Sequence, residues 1–257
     1  MLPPPDEIHL WFALDAECTP ELLELYKRDF LSEEELVRGA RFHFERDRNQ
    51  FVLTRALVRS VLSRYAAIPP AQWQFGKGEH GRPFIANPDA PAIAFNLSHT
   101  RGLVVLAVSQ AQPLGVDVEN FQTREAPLEV AQGYFSPTEV AALTSLPLAA
   151  QQERFFHYWT LKEAYIKAES KGLSLPLEQF SMLFASDNEV EIAFHDLPAS
   201  SGWHFWLMQA CPGFLTALCV QSEARRAPTL VARQCLPLTP DRVLKPQIMR
   251  QSHWGEA

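Results

Sequence analysis

Gly115-Val116-Asp117-Val118-Glu119 and, further along, Trp159-Thr160-Leu161-Lys162-Glu163-Ala164-Tyr165-Ile166-Lys167 are the stretches on which the reading of the chain depends. The first reads as a strand whose period of two puts Asp117 and Glu119 on one face. The second reads as a helix, with Glu163 and Lys167 on one side at i and i+4. Two like charges side by side on a strand repel unless a cation compensates them. Three carboxylates on rigid elements, with a lysine one turn from the third, suit a hard divalent cation and a phosphate ligand. Oxygen-only ligation favours magnesium or manganese over zinc. The plainer alternatives are an exposed strand face carrying two acids, and an amphipathic helix with a Glu-to-Lys pair worth ~0.3–0.5 kcal/mol. The aromatic flank Phe155-Phe156-His157-Tyr158-Trp159 weakens the second, because it would bury much of the helix and hold its polar face rigidly.

Composition bounds the rest. The 257 residues are 47% hydrophobic and 21% charged, enough for one large domain or two small ones. No apolar run is long enough to span a bilayer, and Met1-Leu-Pro-Pro-Pro-Asp-Glu does not read as a signal peptide, so no membrane role is expected. Cys18, Cys211, Cys219 and Cys235 are scattered, against zinc or a disulfide framework and compatible with a reducing cytoplasm. A net charge of −7 gives no reason to expect nucleic acid. Positive charge for phosphates must then be local: Arg38, Arg41, Arg46 and Arg48; Lys77 to Arg82; or Lys162, Lys167 and Lys171.

The order of elements repeats. A strand over Glu7–Leu14 precedes the capping box Ser32-Glu33-Glu34-Glu35, a helix from about Arg46 to Tyr65, and strands flanking Ser98-His99-Thr100-Arg101-Gly102. The Asp117 strand leads through a polar linker, Asn120 to Gln132, to a second capping box, Ser136-Pro137-Thr138-Glu139. A helix from about Gln151 to Ser170 with Gly172 at its end follows, then strands at Phe180–Leu183 and Val190–Phe194, and a hairpin of Trp203–Gln209 with Gly213–Gln221. The core stripe of the longer helix is Tyr158, Leu161, Ala164, Tyr165 and Ala168. The spacing from Ser32 to Ser136 is close to that from Gly102 to Gly213, as two copies of one α+β unit require. The first copy lacks the carboxylates and the second lacks the Ser-His, which leads to one site between the halves. The expected divisions are 1–114, 115–222 and a tail, 223–257, draped over the surface.

Asn96, Ser98, His99 and Arg101 form a donor-rich turn suited to phosphate oxygens. No Gly-x-Ser-x-Gly elbow surrounds Ser98, and no Walker loop or Gly-x-Gly-x-x-Gly occurs.

Gly81-Arg82-Pro83, Phe95-Asn-Leu-Ser-His99, Gly115-Val-Asp-Val-Glu119 and Trp159 to Lys167 together resemble the motifs of the 4′-phosphopantetheinyl transferases of the surfactin-synthetase-activating type. The likeness runs from about Arg38 to Leu177 and implies an α+β pseudodimer of two similar α/β halves. The implied reaction moves phosphopantetheine from coenzyme A to a serine of an acyl, peptidyl or aryl carrier protein, releasing adenosine 3′,5′-bisphosphate. Carried over, Asp117, Glu119 and Glu163 hold magnesium, with manganese possible, and Asp117, Glu163 and Lys167 are catalytic. Glu163 is the general base, directly or through a metal-bound water, and Lys167 stabilises the pyrophosphate. Ser98 and His99 contact coenzyme A phosphates, Arg82 lies by the adenosine, and Arg38 with Arg41 by the 3′-phosphate. Family members often carry two basic residues where this chain has Glu35 and Arg38, and some place a threonine where it has Phe51. The resemblance implies a cytoplasmic monomer. A coenzyme A-binding module without turnover and a magnesium-dependent phosphohydrolase remain as alternatives.

Overall fold

The computed structural model describes residues 2–110, 112–123, 125–195 and 202–254. They form two compact units: Met1–Ala111 with Thr229–Leu244, and Gln112–Pro228 with Lys245–Ala257.

In the first unit, β1 (Glu7–Leu14) buries Ile8, Leu10 and Phe12 on one face and Trp11 and Ala13 on the other. Helix α1 (Pro20–Asp29) starts with Pro20 at N1, and the Thr19 hydroxyl accepts from the Leu22 N–H. Sequence reasoning left this helix unassigned. Helix α2 (Glu33–Ala40) opens on the expected capping box: the Ser32 hydroxyl accepts from the Glu35 N–H, and the Glu35 carboxylate accepts from the Ser32 N–H. Helix α3 (Glu45–Leu62) buries Leu53, Leu57, Val58, Val61 and Leu62 against Trp11, Val104 and Leu106. A small hairpin, β2 (Phe75–Lys77) with β3 (Pro83–Ile85), precedes β4 (Ile93–Thr100) and β5 (Leu103–Gln110).

The second unit repeats this order. Strand β6 (Leu114–Asn120) is followed by α4 (Leu128–Tyr134), α5 (Pro137–Thr144) and α6 (Leu148–Glu169). A hairpin of β7 (Phe180–Leu183) and β8 (Glu191–Phe194) leads to β9 (Trp203–Gln209) and β10 (Phe214–Gln221). Helix α5 has the expected capping box of Ser136 and Glu139. All five residues of the expected stripe on α6 are buried. Two expectations are corrected. The polar linker contains α4, and α6 ends at Ser170 as expected but is closed by that residue itself, in the left-handed conformation at φ 60°, rather than by Gly172.

The segment after Glu223 is woven into both sheets. Strand β11 (Thr229–Gln234) pairs parallel with β1, and β12 (Arg242–Leu244) pairs with β11. The first unit's sheet thus runs β12-β11-β1-β5-β4. Strand β13 (Gln247–Gln251) adds antiparallel to β9, with a bulge between Ile248 and Arg250, giving the second sheet the order β13-β9-β10-β6. The β1–β11 pairing joins residues more than two hundred positions apart, which no local pattern announces.

A buried ion pair recurs in both units. Glu35 is gripped by Arg55 and Arg59 of α3, and Arg59 reaches on to the carbonyls of Pro70 and Trp73, each at 2.9 Å. Glu139 is paired at 2.8 Å with Lys162 of α6, whose ammonium donates to the carbonyls of Leu177 at 2.7 Å and Phe180 at 2.6 Å. In each unit the capping-box carboxylate of a short helix thereby holds a cation of the next long helix, and that cation pins the following loop by two carbonyls. Neither cation is available for solvent or ligand: Arg59 is 2% and Lys162 0% exposed. Lys162 therefore leaves the list of candidate phosphate contacts. Glu35 serves its own helix and α3, which accounts for a carboxylate in place of a base there.

Candidate active site

The face of β6 that carries Asp117 and Glu119 lies opposite Ala217 and Leu215 of β10, and those residues pack with Leu161, Ala164 and Ala168 of α6. Helix α6 thus crosses the strand on its acidic face. Gly115 makes the crossing close: a Cβ there would stand 2.1 Å from the Ala164 carbonyl oxygen and 2.5 Å from the Ala168 nitrogen. Only a residue without a side chain lets helix backbone rest on strand backbone. The next positions along each element are then forced together, and the Lys167 ammonium donates to Asp117 Oδ1 at 2.6 Å.

Asp117 and Glu119 are buried, at 5% and 7% exposure. Burial and then the charge of Asp117 push the Glu163 carboxyl up to about 7, with Lys167 opposing and Glu119 adding to the rise. Three carboxylates and one ammonium are thus electrostatically coupled. Among the described residues, no three His, Cys, Asp or Glu side chains stand close enough together to enclose a metal ion. The donor chemistry nonetheless fits one: the set is all oxygen, two members are buried, and their charge raises the proton affinity of the third. A divalent cation would relieve that crowding.

The first unit carries the other expected residues. Strand β4 is the edge of its sheet and continues through Ser98 and His99, so the turn shrinks to Arg101-Gly102. Alternation separates the cluster read from sequence. Asn96 and Ser98 share one face and are buried, whereas His99 is exposed and shares the face of Phe95 and Leu97, the side of α3. Arg38 and Arg41, at the end of α2, meet Lys77 of β2 in a cleft of about 610 Å³, with Glu33 and Glu34 on its rim. Two basic clusters far apart in sequence are thus combined into one. The Arg38 guanidinium lies over the Phe51 ring at 5.7 Å, so Phe51 gives it an aromatic support. Arg82, on the β2–β3 loop, is partly buried, and burial holds its guanidinium below the usual range.

Residues 113–219 match the family described as the 4′-phosphopantetheinyl transferase superfamily, and 19–111 match the 4′-phosphopantetheinyl transferase N-terminal family. The 4′-phosphopantetheinyl transferase Sfp of Bacillus subtilis is 36% identical over 74% of this chain and 82% of its own. The 4′-phosphopantetheinyl transferase HetI of a Nostoc species is 35% identical over 66% of this chain and 71% of its own. A Thermotoga maritima holo-[acyl-carrier-protein] synthase structure aligns over 44% of this chain and 64% of its own at 21% identity, with a TM-score of 0.36, too low to bear on the fold. With both halves matched in order, and with the Sfp likeness spanning most of each chain, this protein belongs to the 4′-phosphopantetheinyl transferase superfamily and is of the Sfp type.

Proposed function

We propose that the chain moves 4′-phosphopantetheine from coenzyme A to a serine hydroxyl of an apo acyl, peptidyl or aryl carrier protein and releases adenosine 3′,5′-bisphosphate. The observation that carries this reading is the set of Asp117, Glu119 and Glu163 beside Lys167, whose ammonium donates to Asp117 Oδ1 at 2.6 Å, with burial raising the Glu163 carboxyl. A carboxylate tuned to neutral pH is a competent base for a serine proton. In the step proposed, the serine oxygen bonds to the phosphorus that bears the pantetheine arm. The bond from that phosphorus to the adenosine bisphosphate breaks, and Glu163 takes the serine proton. The Lys167 ammonium, steadied by Asp117, neutralises charge on the pyrophosphate and on the departing group.

Asp117, Glu119 and Glu163 would hold magnesium, or manganese in its place, and the ion supplies Lewis-acid neutralisation of the pyrophosphate. Arg38, Arg41 and Arg82 would bind the adenosine bisphosphate portion, and Ser98 and His99, from opposite faces of the β4 edge, would contact coenzyme A phosphates. The cleft shared by Arg38, Arg41 and Lys77 supports that assignment, since it concentrates positive charge in an acidic protein. We place the protein in the cytoplasm, where free thiols such as its four cysteines persist. We further propose that it acts as a monomer, since both units lie in one chain. Among the described residues no helix is long and apolar enough to cross a membrane.

The test incubates the protein with coenzyme A, magnesium and an apo carrier protein, and weighs the carrier. A gain of one phosphopantetheine is expected. Coenzyme A bound intact without transfer would replace the reading with a binding module, and coenzyme A cleaved without transfer would replace it with a hydrolase.

A further inference from the structure

Asp15 follows the last residue of β1 and is outside the set of residues assigned so far. It is fastened to the β4–β5 turn in both directions. Its N–H donates to the Gly102 carbonyl at 3.1 Å, and its Oδ2 accepts from the Gly102 N–H at 3.1 Å. Gly102 has φ 100°, a conformation open to glycine, and this lets Arg101-Gly102 close the turn between the paired residues Thr100 and Leu103. Gln50 of α3 completes the brace: its Nε2 donates to Asp15 Oδ2 at 3.1 Å and to the Thr100 carbonyl at 2.6 Å. One carboxylate thereby ties the end of β1, the turn and α3 into a single corner. A cleft of about 440 Å³ opens there, with Arg46 and Arg101 also on its wall.

A plain structural brace does not require a charge. Burial pushes the Asp15 carboxyl up, against the hydrogen bonds from Gly102 and Gln50 and the charge of nearby His99. Its Oδ1 is buried without a hydrogen-bond partner. An asparagine could accept from the same donors at a lower desolvation cost. What an asparagine cannot do is act by charge, and the imidazole of His99 on β4 is near enough to couple electrostatically with the Asp15 carboxylate. The geometry suits this, because His99 is on the α3 side of β4, the side from which Gln50 reaches the strand end.

We propose that Asp15, braced by Gln50, is the positioning residue for His99, fixing the end of β4 and holding the imidazole ready for a coenzyme A phosphate. The assignment rests on the coenzyme A reading given above. Asp15 itself touches no phosphate; its carboxylate would repel one, and it acts through His99.

The experiment measures coenzyme A binding by calorimetry, and transfer kinetics at varied coenzyme A, for the full chain and for Asp15→Asn, His99→Ala and the double variant. Thermal melting confirms that each is folded, and Gln50→Ala gives a second route to the same corner. The expected result for Asp15→Asn is a KM for coenzyme A raised about tenfold, the scale of one charge-assisted contact, with kcat within about twofold. The KM for the carrier should not move. On the His99→Ala background, Asp15→Asn should add little, because the contact it serves is already gone. An equal loss on both backgrounds, or a lower kcat at unchanged KM, overturns the assignment in favour of a merely structural turn. A wild type that binds coenzyme A no better than Asp15→Asn does overturns the assignment alone. A wild type that binds none overturns the coenzyme A reading and the assignment with it.

Discussion

Replacing Gly115 by alanine perturbs the site without touching any charged group. The added Cβ would lie 2.1 Å from the Ala164 carbonyl oxygen and 2.5 Å from the Ala168 nitrogen, where real Cβ atoms essentially never come closer than 3.0 Å. Both obstacles are helix backbone, so no side-chain rotation relieves the clash. Helix α6 must then move away from β6 by about 1 Å, a displacement that can cost on the order of a hundredfold in rate when it separates catalytic groups. Overpacking of this kind costs about 1–3 kcal/mol, which for a domain of this size lowers the melting temperature by roughly 2–12 °C. The expected outcome is a folded Gly115→Ala protein whose transfer rate falls about a hundredfold while its far-ultraviolet circular dichroism is unchanged. Gly133→Ala is the stability control. Nothing lies within 4 Å of its added Cβ, and as a helical position it should gain ~0.5–1 kcal/mol. A Gly115→Ala enzyme with wild-type turnover would refute the idea that the close strand-to-helix contact sets the geometry of Asp117, Glu163 and Lys167.

Glu163→Gln and Asp117→Ala should each abolish transfer, as read by carrier mass, while melting within a few degrees of wild type; normal turnover in either would remove it from the chemistry. Lys162→Ala should cost about 3–5 kcal/mol by strandeding Glu139 without its buried partner, so urea unfolding should shift strongly while the transfer rate per folded molecule holds. His157 gives the acid limb of stability. Burial, then the charges of Arg250 and Arg154, lower its imidazole to about 3, outweighing Glu153, which approaches to 3.6 Å but is largely exposed. A folded-state value below the unfolded one means that the unfolded chain takes up the proton first. Stability from this group is therefore complete above about pH 6.5 and is lost as pH falls toward 3. His157→Phe should flatten that limb in denaturant titrations between pH 4 and 7, and an unaltered limb would show that other groups set it.

The legible parts of the sequence were those with a local physical cause. Both capping boxes formed where Ser32 and Ser136 precede Glu35 and Glu139, because the reciprocal hydrogen bonds involve only residues three apart. Alternation placed Asp117 and Glu119 together, and helical spacing found the buried stripe of α6. Alternation also held the correction to the Ser98-His99 cluster: once β4 runs on to Thr100, its two side chains must point to opposite faces. The Thr19-Pro20 start of α1 was a readable signal that was passed over. Strands β11 and β13 were not readable, since their partners β1 and β9 are supplied by distant sequence. Lys162 was misjudged for a related reason: from one helix alone, a lysine beside Glu163 and near Lys167 looks exposed, and only Glu139 and two later carbonyls show what it is buried against.

The recurrence of that buried pair explains how two halves can be the same structure with so little sequence in common. What is retained is a relation among positions: a capping-box acid, a cation from the following long helix, and two carbonyls three residues apart in the loop beyond. Arginine meets the relation through a fork, with Nε on Glu35 and Nη1 on both carbonyls, and lysine meets it through one ammonium with three donors. Residue identity is free to drift as long as the acceptors are satisfied, because an unsatisfied acceptor or charge in either core would cost several kcal/mol. With the scaffold secured in this way, the faces of the sheets were free to diverge. Strand β6 carries Asp117 and Glu119, whereas β1, its counterpart, has Trp11 and Ala13 on the face that meets the helices and hands on to Asp15 only beyond its end. The acid just beyond β1 thus serves a turn, while the acids of β6 lie under a helix, with Lys167 donating to one of them.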